Sequence, residues 1–104
     1  MSTRVDYDDE VAVKEEIEVK EPNMWNVILH NDDKTTMDFV VQVLHDIFYM
    51  DLQEAMVVML KIHEEDAAVV GTYTHEIAEE KAQTTIRAAR VYGFPLMATI
   101  EEDV

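Results

Sequence analysis

The segment HNDDKTTMDFV, residues 30–40, decides how the rest of the chain is arranged. The apolar run at residues 24–29 predicts a strand before it, and apolar side chains follow it at helical spacing: Met37, Val40, Val41, Leu44 and Phe48. Thr35 is the predicted N-cap of this first helix, with the acid Asp38 three residues later. Asn31, Asp32 and Asp33 between the two elements are also typical of an ordinary turn, because such side chains bond their own backbone.

Four more elements complete the pattern. Asp51 caps a second helix with a broad apolar face: Leu52, Ala55, Met56, Met59, Leu60 and Ile62. Residues 67–73 predict a strand in which Gly71 marks a bulge, and residues 96–100 predict a last strand. Between them a third helix runs from its cap Thr74 to about Tyr92 and ends at Gly93; its predicted inward residues are Ile77, Ala78, Ala82, Thr85, Ile86 and Ala89.

This order, βααβαβ, predicts an α+β domain with a small three-stranded antiparallel sheet and three helices. Only Met50 separates the first two helical patterns, which predicts a tight helical hairpin. Residues 1–22 hold eight acids against three bases and few large apolar side chains, so we expect a disordered acidic arm before a domain spanning residues 23–104. The length of 104 residues suits one domain and is too short for two.

Composition argues against several classes of protein, among them nucleic-acid-binding, membrane-spanning and disulfide-rich proteins. The formal net charge of −15 argues against binding a nucleic-acid backbone and favours a basic or cationic partner. No apolar run is long enough to cross a membrane, and the N-terminus has no signal-peptide pattern. The absence of cysteine excludes a disulfide framework and makes the cytoplasm the expected compartment. We expect a monomer.

The sequence contains few residue patterns typical of enzymes. The chain has no cysteine nucleophile, no Gly-x-Ser-x-Gly and no glycine-rich phosphate loop, and its only two glycines lie far apart. Its histidines, at positions 30, 45, 63 and 75, fit no zinc spacing. We therefore expect a protein that is not an enzyme and that needs no metal or other cofactor.

The residue types in the opening segment suit a primary ammonium group instead. An ammonium offers three N–H donors, which match a carboxylate, an amide oxygen and a neutral imidazole nitrogen. Asn31, Asp33 and His63 supply that set if His63, at the end of the second helix's apolar face, lies beside the turn. A histidine at such a position can equally be a core or rim residue with an internal partner. With an apolar pocket beside it, the set describes a site for a peptide N-terminus.

Four motifs, in this order, make the chain from about residue 24 to 101 similar to a known family. They are VILHNDDKTTMDFVV at 27–41, MLKIH at 59–63, GTYTHEIAEEK at 71–81 and Pro95-Leu96. Together they resemble the ClpS family of N-end-rule adaptors. Members of that family bind peptides with a large apolar first residue (N-degrons) and deliver them to ClpA, the Hsp100 unfoldase of the ClpAP protease.

The resemblance assigns roles by matching position. It implies that Asn31, Asp33 and His63 hold the amino group with Asp32 in support. It implies a side-chain pocket with Met37 as a gate against β-branched residues: Thr35, Met37, Val40, Met59, Ile62 and Leu96. Glu76 and Lys81 match positions that contact the unfoldase, and the acidic arm matches an extension that acts during hand-over.

Two other functions stay open at this point. An acidic protein of this size could mimic nucleic acid and inhibit a DNA-binding enzyme, which fits the charge of −15 but assigns no role to Asn31 or His63. A general protein-interaction module of similar fold is the other alternative. Binding of a peptide with a free Leu or Phe amino terminus, abolished by N-acetylation, distinguishes the adaptor from both.

Overall fold

The structure is a computed structural model of the chain and describes residues 23–104, so the predicted arm at residues 1–22 lies outside the described residues. Six elements follow in the order β1 (Trp25–His30), α1 (Met37–Asp46), α2 (Leu52–Glu65), β2 (Ala67–Tyr73), α3 (His75–Val91) and β3 (Met97–Glu102). The predicted order βααβαβ and the α+β class are confirmed. None of the helices described is long and apolar enough to cross a membrane.

The sheet places β1 in the centre, with β2 and β3 antiparallel on either side. Leu29 pairs with Ala68 on β2 and with Ala98 on β3. The β1–β2 register shifts between Val27 and Ile28, next to Gly71, as the predicted bulge requires. A Cβ atom at Gly71 would collide with the Tyr73 ring, so a side chain here would require that ring to move.

The core lies between one face of the sheet and the helices. Val27 and Leu29 of β1 are fully buried, because alternate residues of a strand point to the same face and the helices cover that face. The buried apolar cluster draws further side chains from all three helices and both outer strands, among them Val40, Leu44, Ala55, Ile62, Val70, Ala78 and Ala98. The turn at residues 31–36 joins the end of β1 to the start of α1 at the edge of this core.

The helix ends confirm two caps and correct a third. Asp51 caps α2 by accepting a hydrogen bond from the Glu54 N–H at 2.8 Å, and Thr74 occupies the N-cap position of α3. The predicted cap of α1 is wrong by one residue, since Thr36 accepts the Phe39 N–H at 3.1 Å. The hydroxyl of Thr35 is instead held by Asp32, so it is not available as a cap.

The α1–α2 connection is longer than predicted. α1 ends at Asp46 and α2 begins at Leu52, so five residues separate the helices and Phe48 lies outside α1. Tyr49 in this loop has φ +58°, a left-handed conformation that few residues other than glycine adopt. Four residues predicted to face inward are instead exposed, because the sheet and helices leave α2 and α3 only a narrow covered face: Leu52, Met56, Leu60 and Ile77.

Candidate functional site

The turn after β1 is built around the carboxylate of Asp32. One oxygen accepts the backbone N–H groups of Lys34 (2.8 Å) and Thr35 (2.7 Å), and the other accepts the Thr35 hydroxyl (2.7 Å). Partial burial raises the pKa of Asp32, but the three hydrogen bonds and the positive charge of Arg90 outweigh burial and leave that pKa below its ordinary value of 3.8. Asp32 is thus ionised at neutral pH and fixes the turn.

A backbone hydrogen bond brings the end of α2 to this turn. The N–H of Asn31 donates to the carbonyl of Asp66 at 2.8 Å. Asp66 follows the last residue of α2 and has φ +72°, so the chain reverses there and enters β2 beside β1. His63, in the last turn of α2, consequently lines the same cavity as Asn31 and Asp33.

A cavity of about 210 Å³ occupies the space between the turn, α1 and α2; we call it the corner cavity. Its lining combines polar residues of the turn with apolar residues of both helices: Asn31, Asp32, Asp33, Thr35, Met37, Val40, Met59, Ile62 and His63. Val40, Met59 and Ile62 are buried, whereas Asp33, Met37 and His63 are exposed. The cavity therefore has apolar walls and a polar rim.

The rim favours a cation. Within residues 23–104, no hydrogen bond from another group reaches the Asp33 carboxylate or the His63 ring. The C-terminal end of α2, where His63 lies, carries the negative end of the helix dipole. The three acids at residues 64–66 follow directly. No group of three or more acidic or histidine side chains in the described part of the chain is arranged to hold a metal ion. The polar rim and apolar walls of the corner cavity suit a hydrogen-bonding cation with an apolar body.

The structure brings nine of the ten predicted recognition residues into one cavity. The tenth, Leu96, is fully buried and does not line it. Its carbonyl accepts a hydrogen bond from Arg90 at 2.9 Å, which helps to anchor the start of β3.

The two residues matched to unfoldase contacts differ in exposure and in hydrogen bonding. Glu76 is exposed in the first turn of α3. Lys81 is half-buried, and its ammonium donates to the Ile47 carbonyl at 2.8 Å. Lys81 follows Glu76 by five positions, which places the two side chains about 140° apart around the helix axis.

Lys81 also belongs to an aromatic group that sequence reasoning did not find. Its Nζ lies 4.7 Å from the ring centroid of Tyr49, 5.3 Å from that of Tyr73 and 5.8 Å from that of Phe48. We call these four residues the Lys81 cluster. Burial, with a smaller effect of Tyr49, raises the pKa of Tyr73, so that phenol remains neutral at physiological pH. The ammonium supplies the cluster's positive charge and holds the α1–α2 loop against α3.

The chain is similar to proteins of one known family. The family model described as "ATP-dependent Clp protease adaptor protein ClpS" matches residues 20–99. The ClpS adapter protein of Oleidesulfovibrio alaskensis is 49% identical over 102 residues, 98% of this chain and 94% of the relative. That of Wolinella succinogenes is 50% identical over 95 residues, 91% of this chain and 93% of the relative.

A solved structure matches as well. Agrobacterium tumefaciens ClpS2 bound to L-phenylalaninamide is similar with a TM-score of 0.78 and 37% identity, covering 80% of this chain and all of that chain.

Proposed function

This chain belongs to the ClpS family of adaptor proteins of the ATP-dependent Clp protease, and we propose that it binds peptides with a free amino terminus and a large apolar first residue. The family consists of adaptors and not of enzymes, in agreement with the absence of catalytic motifs from the sequence. The observation that carries the proposal is the corner cavity, whose lining joins the exposed acceptors Asp33 and His63 to buried apolar residues.

The rim receives the amino group. Asp33 provides the ionic acceptor, Asn31 an amide oxygen and His63 a neutral ring nitrogen, so each of the three N–H donors of an ammonium has a partner. Asp32 contributes indirectly. Its oxygens already accept three hydrogen bonds, so it fixes the turn that carries Asn31 and Asp33.

The walls receive the first side chain. A volume of about 210 Å³ is below the roughly 300–1,000 Å³ of pockets for drug-sized ligands and suits a single amino-acid side chain. Met59 and Met37 add flexible thioether surface, which adapts to both Leu and aromatic side chains. The phenylalaninamide bound by the related ClpS2 has the same two parts, a primary amine and a large apolar side chain.

Fluorescence anisotropy with a peptide beginning with Phe tests this function. The free peptide should bind saturably, and its N-acetylated form should not bind, because acetylation removes the charge and two of the three donors. A matched peptide beginning with Gly keeps the amine but cannot fill the cavity, so it should bind at least about tenfold more weakly. Equal binding of the free and acetylated peptides would overturn the proposal.

Met37 is expected to gate the cavity. It lies at the mouth and is 44% exposed, so it can be truncated without opening the core. A β-branched residue carries its bulk beside the backbone, where we place the Met37 side chain. Met37→Ala should therefore admit peptides beginning with Ile or Val while still binding Leu and Phe. Unchanged discrimination between Ile and Leu peptides in anisotropy titrations would refute the gate.

For delivery, we propose ClpA as the partner, with Glu76 and Lys81 in the contact surface and residues 1–22 acting in hand-over. The exposure of Glu76 supports its part in this proposal. Deletion of residues 1–20 should leave peptide affinity unchanged and slow degradation of a Phe-initiated substrate by ClpA with its protease. A truncated protein that binds peptide tenfold more weakly would instead place the arm at the recognition site.

A further inference from the structure

α2 carries apolar side chains on its outer surface. Leu52, Met56 and Leu60 are 58%, 54% and 46% exposed. They are spaced four residues apart and so form one ridge along the helix, which we call the α2 stripe. A surface helix normally turns its apolar residues towards the core and covers the outside with polar ones. A continuous exposed ridge of large apolar residues is a feature of binding surfaces.

The stripe leads to the corner cavity. His63 on the rim follows Leu60 by three residues and Met56 by seven, and both spacings place side chains on the same side of a helix. Met59, which lies between Met56 and Leu60 in the sequence, lines the cavity wall. From His63 to Leu52 the helix rises about 16 Å, the length of about five residues of extended chain.

We propose that the α2 stripe binds the residues that follow the first residue of a bound peptide, and that it selects apolar side chains at those positions. This inference rests on the proposed function, because the corner cavity fixes where the peptide chain begins. A peptide held by its amino group and first side chain must leave across the rim. The stripe then contacts it at high effective concentration, without the full cost of a separate association.

Charge disfavours two other ligands for the α2 stripe, namely a second copy of the chain and residues 1–22 of the same chain. A second copy of the chain carries a formal charge of −15, and residues 1–22 hold eight acids against three bases. Either would approach the acids at residues 64–66, next to His63, with like charge. A peptide with a positively charged amino terminus meets the same acids with attraction.

Three ligands separate the contributions of cavity and stripe: phenylalaninamide, a Phe-initiated peptide with Leu and Val at positions two to five, and the same peptide with Ser and Gly there. Phenylalaninamide reports on the cavity alone. We expect the peptide with apolar residues to bind about three- to tenfold more tightly than the Ser/Gly peptide, from partial burial of apolar surface.

Two variants on one helix locate this preference. Met56→Ser should remove most of the difference between the two peptides, because Met56 lies about 20° from His63 around the helix. Val57→Ser is the matched control, since Val57 is 65% exposed but lies about 120° from His63. It should leave the difference intact. Both residues are exposed, and unchanged thermal unfolding confirms that both variants fold.

The outcomes distinguish failure of the stripe from failure of the function. If phenylalaninamide binds but the two peptides bind equally, the stripe has no role and the proposed function stands. If Val57→Ser reduces the preference as much as Met56→Ser does, the preference does not arise from the stripe. If phenylalaninamide itself does not bind the wild-type protein, the proposed function fails and this inference with it.

Discussion

The corner cavity and the Lys81 cluster both place charged or polar groups beside apolar side chains, but they use them differently. The Lys81 ammonium is satisfied inside the fold, by the Ile47 carbonyl and three aromatic rings. At the cavity rim, Asp33 and His63 have no hydrogen-bond partner among residues 23–104. A charge paired internally stabilises a loop, whereas acceptors left open above apolar walls are suited to a ligand.

The strongest test of this contrast is Asp33→Ala. The substitution removes the ionic acceptor of the peptide's ammonium, and hydrogen bonds to charged groups contribute about 1.5–3 kcal/mol. Peptide affinity should therefore fall roughly tenfold to a hundredfold in anisotropy titrations. Stability should not change, because the exposed carboxylate holds no other described group.

Asp33→Asn provides the control. It keeps the size of the side chain and one acceptor oxygen but removes the charge, so it should lie between the wild type and the alanine variant. Wild-type affinity in a folded Asp33→Ala protein would remove Asp33 from the site.

The neighbouring Asp32→Ala should show the opposite effect. It removes the acceptor of three hydrogen bonds in the turn, so we expect a loss of about 1–2 kcal/mol in the free energy of unfolding measured with urea. Affinity should change less than in Asp33→Ala. A larger loss of affinity than of stability would mean that Asp32 contacts the ligand itself.

The contribution of Asp32 should also depend on pH. Its pKa is lower in the folded protein than the ordinary 3.8, so the ionised form favours folding. That stabilisation is fully present above about pH 5 and is lost as pH falls through 3.8 and the lower folded-state value. The stability difference between wild type and Asp32→Ala should therefore be constant near neutral pH and shrink in acid. A difference that stays constant down to pH 3 would contradict this account.

The order of the elements was predictable from the sequence because apolar spacing and capping residues determine it locally. Asp51 and Thr74 occupy the predicted caps, and the strand at residues 67–73 has its predicted bounds. The cap of α1 was not predictable, since the choice between Thr35 and Thr36 depends on Asp32 capturing the Thr35 hydroxyl. The α1–α2 loop likewise depends on Lys81, which lies 34 residues from Ile47 in the chain.

The site could be predicted in its residue types but not in its geometry. Asn31 and Asp33 form one local motif, whereas the place of His63 depends on the Asn31–Asp66 backbone bond, which no local pattern encodes. Apolar periodicity also cannot show how much of a helix the core will cover. Met56 and Met59 read alike in the sequence, yet one is exposed and the other lines the cavity.

Lys81→Met tests whether the Lys81 cluster stabilises the fold without taking part in peptide binding. The variant keeps an unbranched apolar side chain but loses the hydrogen bond to Ile47 and the attraction to the rings. The free energy of unfolding should therefore fall by about 1 kcal/mol. Peptide affinity should match that of the wild type, and Lys81→Arg should recover part of the stability. Full stability in Lys81→Met would show that the Lys81 cluster does not hold the loop.

The smallest expected effect belongs to His63. An imidazole accepts a hydrogen bond from an ammonium only through an unprotonated ring nitrogen, whereas imidazolium has donors only and repels the cation. Because His63 is exposed, water replaces part of its contribution, and His63→Ala should lose about 0.5–1 kcal/mol of binding at pH 7.5, roughly threefold in affinity.

The pH dependence of peptide affinity tests whether His63 accepts a hydrogen bond from the amino group or only lies at the rim. Protonation of an imidazole removes its acceptor nitrogen, so wild-type affinity should fall as the pH is lowered from 8 to 5. His63→Ala should lose most of this slope. His75→Ala is the matched control: His75 is also exposed, lies 3.8 Å from Glu79 and does not line the corner cavity, so its removal should leave the slope unchanged. If wild-type affinity is flat with pH, or if His63→Ala keeps the full slope, His63 does not accept the amino group, and the rim depends on Asn31 and Asp33 alone.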